Sequence, residues 1–331
     1  MSEPASPAAA RAPAADPWVF HDGEFVRISE VSLGPSTQAL HYGTGVFEGI
    51  RSYRSGVEPG VSNLLSAEAH YLRLLRSAKL LRLDLPYAAQ HLVESTVELL
   101  RRNNLTGDTY IRPIAYKRAF EPGVAPGVRL RGVTTGFTIM AMPMGRYSNH
   151  DGIRCAVSSW QRIPGASLPA QAKICGAYAN NALAVDEAQA AGFDDAIFLN
   201  SRGEVCEAGT ANIFVVRTGT AATPGPAADI LEGVTRATAL EILGEEAGCR
   251  AVERSVARAE LYSADEIFLT GTGCEIVPVL EVDGRPVGVG TCGPVTKRVQ
   301  GTYEDLVRGR APRYAERLTR VEFDASGGNR S

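Results

Sequence analysis

Three polar residues stand in small, glycine-bearing surroundings where a backbone can approach a ligand closely. Lys173 lies in the loop AKICGAYAN, just ahead of a helical stretch. Glu207 ends an apolar run in VCEAGTAN, and Thr272 sits in the turn TGTG. They offer an amine, a carboxylate and a hydroxyl. A lone lysine in a loop is ordinarily a solvated charge, and none of the three carries a function by itself. A fourth feature is a basic stripe of Arg73, Arg76, Lys79 and Arg82, each three residues after the last. On a helix that pattern is ordinarily a solvated face.

The elements that must position these residues follow from local pattern. Trp18-Val19-Phe20 and Glu24-Phe25-Val26 flank Asp22-Gly23, a hairpin signal. The Gly-rich apolar segment HYGTGVFEGIRSY runs from His41 to Tyr53. Residues 66–82 predict a helix with Ser66 as N-cap and Leu72 and Leu75 on the buried side, and residues 88–103 a second helix. Strands are expected at 110–114 and 136–142. The polar, turn-forming stretch 145–152 marks a domain boundary. Beyond it come a strand at 154–158, a Pro/Gly loop, and a helix at 177–191 closed by Gly192. Strands follow at 195–199, 213–216, 266–269 and 277–282, and helices at 235–248 and 294–308. Residues 219–228 read as a flexible surface loop. Strands and helices mix without strict βαβ alternation, which argues for two α+β domains over a doubly wound sheet.

Composition excludes several functions. The 331 residues are 44% hydrophobic and 21% charged, with 34 basic and 37 acidic side chains and a net charge of −3. That is an ordinary globular balance with room for two domains. No basic tract points to nucleic acid, and no run of about 18 apolar residues points to a membrane span. Six scattered cysteines without a CxxC, and five histidines without ligand spacing, predict thiols in a reducing cytoplasm and no metal. The expected organisation is a disordered tail at 1–16, an N-terminal domain at 17–145, a linker at 146–152, a C-terminal domain at 153–323 and a disordered tail at 324–331.

Five segments in order carry a resemblance. They are HYGTGVFEGIR (41–51), TYIRP (109–113), AKICGAYANNALAVDEAQAAGFDDAIFLNSRGEVCEAGTANIF (172–214), LEGVTR (231–236) and EIFLTGTGCEIVPV with DGR and GPVTKR (266–298). From about Trp18 to Gly309 the chain resembles the branched-chain aminotransferases, which use pyridoxal 5′-phosphate on the two-domain α+β scaffold called fold-type IV. The resemblance implies a small N-terminal domain and a larger cofactor-binding C-terminal domain. It also implies transfer of an amino group between an aliphatic L-amino acid and 2-oxoglutarate.

The resemblance assigns roles residue by residue. Lys173 matches the Schiff-base lysine. That chemistry needs an amine that attacks an aldehyde and later moves a proton, and an ammonium does neither well. Glu207 matches the carboxylate facing the pyridine nitrogen, where it keeps the ring an electron acceptor. Tyr178 matches the tyrosine bonded to the phenolic oxygen. Arg73 matches the phosphate arginine, a choice the basic stripe alone does not make. Val234 and Thr235 open a helix whose N–H groups can meet a phosphate, and Thr272 completes that cup. Phe47, Gly49, Tyr110, Arg112 and Met144 match the substrate pocket, with Tyr42 and Val124 supplied by a neighbouring subunit. The turn Thr272-Gly273-Cys274 matches the holder of the α-carboxylate, leaving Arg112 for a second carboxylate.

Departures bear on specificity. Lys117, Arg118 and Glu121 put charge in a loop that the family usually keeps small and apolar. Met144 stands where many members carry tryptophan, and Glu232 where proline precedes GVTR. A related transaminase of an unusual 2-oxo acid, a D-amino acid or an amine would share Lys173 and Glu207, as would aminodeoxychorismate cleavage. FEGIR and TYIRP favour the branched-chain pattern. A non-catalytic cofactor-binding oligomer would predict loss of Lys173, Glu207 or Arg73, and all three are present. The implied partners are amino acids, 2-oxo acids and a second copy of the chain, at least as a homodimer.

Overall fold

The computed structural model describes residues 16–120, 125–145, 151–246 and 248–323. Val124, Glu121, residues 1–15 of the expected tail, 146–150 of the expected linker and the tail at 324–331 lie outside the described residues. The chain forms two compact α+β units. One runs through Tyr147 and resumes at Asp305, and the other is Ser148–Glu304. The span expected for the second domain, 153–323, is therefore too long. Residues 305–323 belong with the first unit because Leu318–Glu322 pairs antiparallel with Val61–Leu65, Leu318 opposite Leu65 and Glu322 opposite Val61. No local pattern announces a pairing between segments that far apart.

The first unit is built on an eight-stranded sheet. Its order is Leu318–Glu322, Val61–Leu65, Ile50–Arg54, Thr109–Lys117, Thr135–Pro143, Trp18–His21 and Glu24–Arg27, with Gly45–Phe47 also paired to Thr109–Lys117. The Thr109–Lys117 strand is central. It pairs with Thr135–Pro143 over its whole length and on its other side meets both Gly45–Phe47 and Ile50–Arg54. Side chains alternate across a strand, so Thr109, Ile111, Pro113 and Ala115 are buried while Tyr110, Arg112 and Ile114 stand half-buried on the opposite face.

Helices Ala67–Leu80 and Ala89–Arg102 pack on each other beside this sheet. The first departs from expectation. Its inward face carries His70, Tyr71, Arg73, Leu74, Ser77 and Ala78, while Leu72 is 44% exposed and Leu75 half-buried. His70 and Arg73 take inward positions because buried Glu48 meets them there, so apolar periodicity misreads the rotation. Ser66 holds the N-cap position in left-handed conformation at φ 45°, yet its side chain makes no capping bond.

The second unit has a nine-stranded sheet that closes on itself. Val205–Ala208, Asp195–Leu199, Ile153–Gln161, Glu275–Val282, Glu266–Gly271 and Asn212–Arg217 follow in order, and Glu207 opposite Asn212 joins the last back to the first. Ile153–Gln161 runs parallel to both neighbours. Ile197, Val205, Ile213, Val215, Ile267 and Leu269 belong to one apolar core. Ala196, Phe198, Cys206, Ala184 and Ala188 form another, which seats helix Tyr178–Ala190. Adjacent residues of Asp195–Leu199 thus serve two cores, which explains its unbroken apolar run.

The expected loop at 219–228 contains a strand, Thr220–Thr223, with Ala221, Ala222 and Thr223 buried. It lies between Asn212–Arg217 and Arg250–Glu253. Its two central alanines carry little β-propensity, and four small residues among Gly and Pro show no apolar alternation, which hid it. No described helix is long and apolar enough to cross a membrane.

Candidate active site

In the first unit, Phe47, Gly49, Tyr110 and Arg112 come together on one face of the sheet. The Arg112 guanidinium lies 4.6 Å from the Phe47 ring centroid and 5.1 Å from that of Tyr110. Its Nε and one terminal nitrogen donate to the Tyr110 hydroxyl at 3.2 and 2.7 Å. Gly49 is required by the same packing, since a Cβ there would overlap the Tyr110 hydroxyl. Met144 follows the Thr135–Pro143 strand, and its carbonyl accepts from buried Arg51 at 2.9 Å.

Two charges that cast doubt on this pocket are tied elsewhere. Lys117 is 2% exposed, and its Nζ donates to the carbonyls of Arg82 and Val133 at 2.6 and 2.9 Å. Burial lowers its pKa. Arg118 pairs with Asp22 and donates to the Thr135 carbonyl. Both are structural cations.

The basic stripe divides sharply. Arg73 is 6% exposed, whereas Arg76, Lys79 and Arg82 are exposed. Arg73 forks onto Glu48, Nε to Oε1 at 2.6 Å and a terminal nitrogen to Oε2 at 2.9 Å. His70 Nδ1 lies 2.8 Å from the same Oε2. Glu48 is fully buried. Burial pushes its carboxyl pKa up. The Arg73 charge and the His70 hydrogen bond outweigh that and hold it well below the usual carboxylate range. With Glu48 ionised, His70 Nδ1 carries the hydrogen.

In the second unit, Lys173 Nζ donates to the Tyr178 hydroxyl at 2.6 Å. Tyr178 opens the helix Tyr178–Ala190, so the lysine loop and the helix start fix each other. Glu207 sits in a β-bulge: Val205 opposes Leu199 and Ala208 opposes Ile197, three steps against two. A bulge breaks alternation and re-aims a side chain. Arg162 donates a terminal nitrogen to Glu207 Oε1 at 2.9 Å. Asn212 Nδ2 and the Leu231 N–H each donate to Oε2 at 3.1 Å. Arg162 also donates to Asn181 Oδ1 at 3.2 Å, one turn beyond Tyr178, and to the Asp229 carbonyl at 3.3 Å. The arginine therefore bridges Glu207 to the helix that begins at Tyr178.

The segment after Leu231 leads to Val234 and Thr235 at the start of helix Val234–Glu245, with Thr235 4% exposed. Gly233 precedes them because a Cβ there would overlap Asn212 Oδ1. Thr272, Gly273 and Cys274 form a half-buried turn joining Glu266–Gly271 to Glu275–Val282. Its approach strand places Thr270 directly opposite Asn212.

Sequence reasoning missed Glu48, His70, Arg51, Arg162, Asn181 and Asn212. The first three lie in or near FEGIR and the basic stripe, but polar residues inside apolar segments give no sign of their partners. Tyr42, in contrast, is 39% exposed within the chain and packs near His41 and Phe120.

Comparison with known proteins gives the chain's family. The family described as amino-transferase class IV matches residues 45–282. A protein named "Probable branched-chain-amino-acid aminotransferase" from Aquifex aeolicus is 44% identical over 305 residues, 92% of this chain and 96% of that one. The branched-chain-amino-acid aminotransferase of Escherichia coli K12 is 38% identical over 88% of this chain and 93% of its own. Among solved structures, the branched-chain aminotransferase of Thermoproteus uzoniensis with norvaline superposes with a TM-score of 0.86 at 41% identity, covering 92% of this chain and 99% of that one. The T.th. branched-chain amino acid aminotransferase complexed with N-(5′-phosphopyridoxyl)-L-glutamate gives 0.85 at 38% identity, over 92% and 98%. The chain belongs to the class IV aminotransferases.

Proposed function

We propose that this enzyme transfers the amino group of an aliphatic, branched-chain-like L-amino acid to 2-oxoglutarate, with pyridoxal 5′-phosphate as cofactor. The observation that carries the reading is the pairing, within one unit, of an amine held by a phenol, Lys173 on Tyr178, with a buried carboxylate held by an arginine, Glu207 on Arg162. The donor set suits the cofactor. An amine meets an aldehyde, a carboxylate a ring nitrogen, and a helix start with Thr235 and Thr272 a phosphate. The Thr270 hydroxyl, beside Asn212, is buried without a hydrogen-bond partner among the described residues, which suits a pocket that takes a polar ligand.

When bound, the cofactor supplies an aldehyde that condenses with amines and a ring that takes up electrons. Lys173 Nζ would bind that aldehyde, give up that bond when the substrate amine displaces it, and as the freed amine take the proton from the substrate Cα. Tyr178 orients Nζ. Glu207 holds a proton at the ring nitrogen, and Arg162 and Asn212 hold Glu207. Arg73 takes the phosphate, with the N–H groups of Val234 and Thr235. Phe47, Gly49, Tyr110 and Met144 receive the aliphatic side chain. Gly273 and Cys274 hold the α-carboxylate, and Arg112 meets the second carboxylate of glutamate. Captive Lys117 and Arg118 leave an apolar side chain acceptable. The working form is a cytoplasmic homodimer, in which exposed Tyr42, together with Val124, completes the partner's site.

The test is a panel of L-amino acids, D-amino acids and amines assayed against 2-oxoglutarate with the wild-type chain and Lys173→Ala. Leucine, isoleucine and valine should lead the panel, and Lys173→Ala should abolish turnover. Near-native turnover in Lys173→Ala, or a panel led by D-amino acids or amines, would defeat the reading.

A further inference from the structure

The buried cluster of Glu48, His70 and Arg73 has no part in the chemistry assigned to Lys173 and Glu207. Taking a carboxylate and a guanidinium out of water is costly, and well-packed apolar side chains of similar volume often leave a core as stable. The ionic version does something an apolar one does not. Glu48 takes Nε and one terminal nitrogen of the same guanidinium, a fork that fixes both its place and its plane. His70, three residues earlier on the same helix, reaches Glu48 Oε2 at 2.8 Å, and the Gly49 N–H donates to that oxygen at 3.3 Å. The carboxylate is therefore pinned from two sides. Its own N–H donates to the Pro113 carbonyl, which seats it on the central strand of the sheet. Arg76 and Lys79, on the same helix, are exposed.

We infer that Glu48 is the positioning residue for Arg73, fixing the place and plane of the guanidinium that is to meet a phosphate monoester, and that His70 locks Glu48 in that task. The inference rests on the reading of Arg73 as the phosphate ligand. A carboxylate this close offsets much of the arginine's charge, so the arrangement gives up coulombic pull for a fixed hydrogen-bond direction. The sign of the effect of removing Glu48 then separates positioning from mere charge.

The experiment titrates the full-length chain, stripped of cofactor, with pyridoxal 5′-phosphate and with pyridoxal, which lacks the phosphate. Absorbance of the lysine-bound ligand gives both affinities. Glu48→Gln should weaken pyridoxal 5′-phosphate by about 10–100-fold, the range for losing the hydrogen-bond partner of a metal-ligating side chain, taken here by analogy, and leave pyridoxal unchanged. His70→Gln should give a smaller loss with the same phosphate selectivity. Glu48→Gln in an Arg73→Ala background should add nothing. Unchanged or tighter pyridoxal 5′-phosphate binding in Glu48→Gln would overturn the inference, as would equal losses for both ligands. Should Glu48→Gln fail to fold, His70→Gln decides alone: retained wild-type preference for the phosphorylated ligand overturns the inference. Retention of that preference in Arg73→Ala would instead defeat the assignment of Arg73 itself, and the inference with it.

Discussion

Glu48 and Glu207 are both buried carboxylates facing an arginine, and they are held in different ways. Glu48 is fully buried and takes both oxygens' bonds from one guanidinium, with a histidine added. Glu207 is 5% exposed, and its oxygens answer to separate elements: Arg162 on one, Asn212 and the Leu231 backbone on the other. The first follows directly on the strand Gly45–Phe47, the second sits in a bulge. A fork between two side chains fixes one partner relative to the other. A carboxylate gathered from a strand, a loop and an arginine is fixed relative to the whole scaffold, and that suits a group that must meet a ligand atom.

Mutations can break this contrast. Glu48→Ala leaves Arg73 a buried, unmatched charge and should cost about 3–5 kcal/mol of stability. A double Glu48→Met, Arg73→Met change should recover most of it. Chemical denaturation of the three proteins checks this, and a double variant no better than the single would show that the ion pair itself supports the fold. Glu207→Gln is nearly isosteric. It should slow turnover about 10²–10³-fold with every substrate alike, the range for loss of one electrostatic stabiliser, while the melting temperature moves little. A large fall in melting temperature with turnover kept would make Glu207 a second Glu48.

Asp195 sharpens the comparison as a carboxylate with no arginine bonded to it among the described residues. Burial pushes its pKa up to about 6, against lowering hydrogen bonds from the Ala196 and Gly209 backbone, and Asp194 adds to the rise. The folded carboxyl binds its proton more tightly than the unfolded one. Its contribution is fully present below about pH 4, the ordinary aspartate range, and is lost as pH rises through about 6. Asp195→Asn should therefore stabilise the protein by about 1–2 kcal/mol at pH 8, after allowance for a side chain only half-buried, and by nothing at pH 4. A gain of equal size at both values would mean that the carboxyl does not titrate there.

Much of the chemistry is legible because it is written in contiguous motifs. Lys173 and Tyr178 are five residues apart, and a loop followed by a helix start brings them into contact. The α+β class and most strands follow from alternation and turn residues. What stays hidden depends on distance along the chain. Arg162 reaches Glu207 across 45 residues, and Glu48 meets Arg73 across 25. Each looks locally like a solvated charge. Apolar periodicity misjudges the rotation of helix Ala67–Leu80 because its buried face is partly ionic, and Thr220–Thr223 passes for a loop because alanine and threonine carry little pattern.

The pairing of Leu318–Glu322 with Val61–Leu65 bears on how the molecule is made. As a chain grows on the ribosome, Ser148–Glu304 emerges as one uninterrupted stretch, and every described strand of its closed sheet comes from that stretch. The first unit emerges earlier yet must wait, because its edge strand comes about 250 residues after the strand it covers. Until then the fully buried Val61–Leu65 strand has an open side. The order of synthesis and the order of completion are thus reversed, and an edge strand left open in the interval is the kind of surface that chaperones cover and that pairs wrongly.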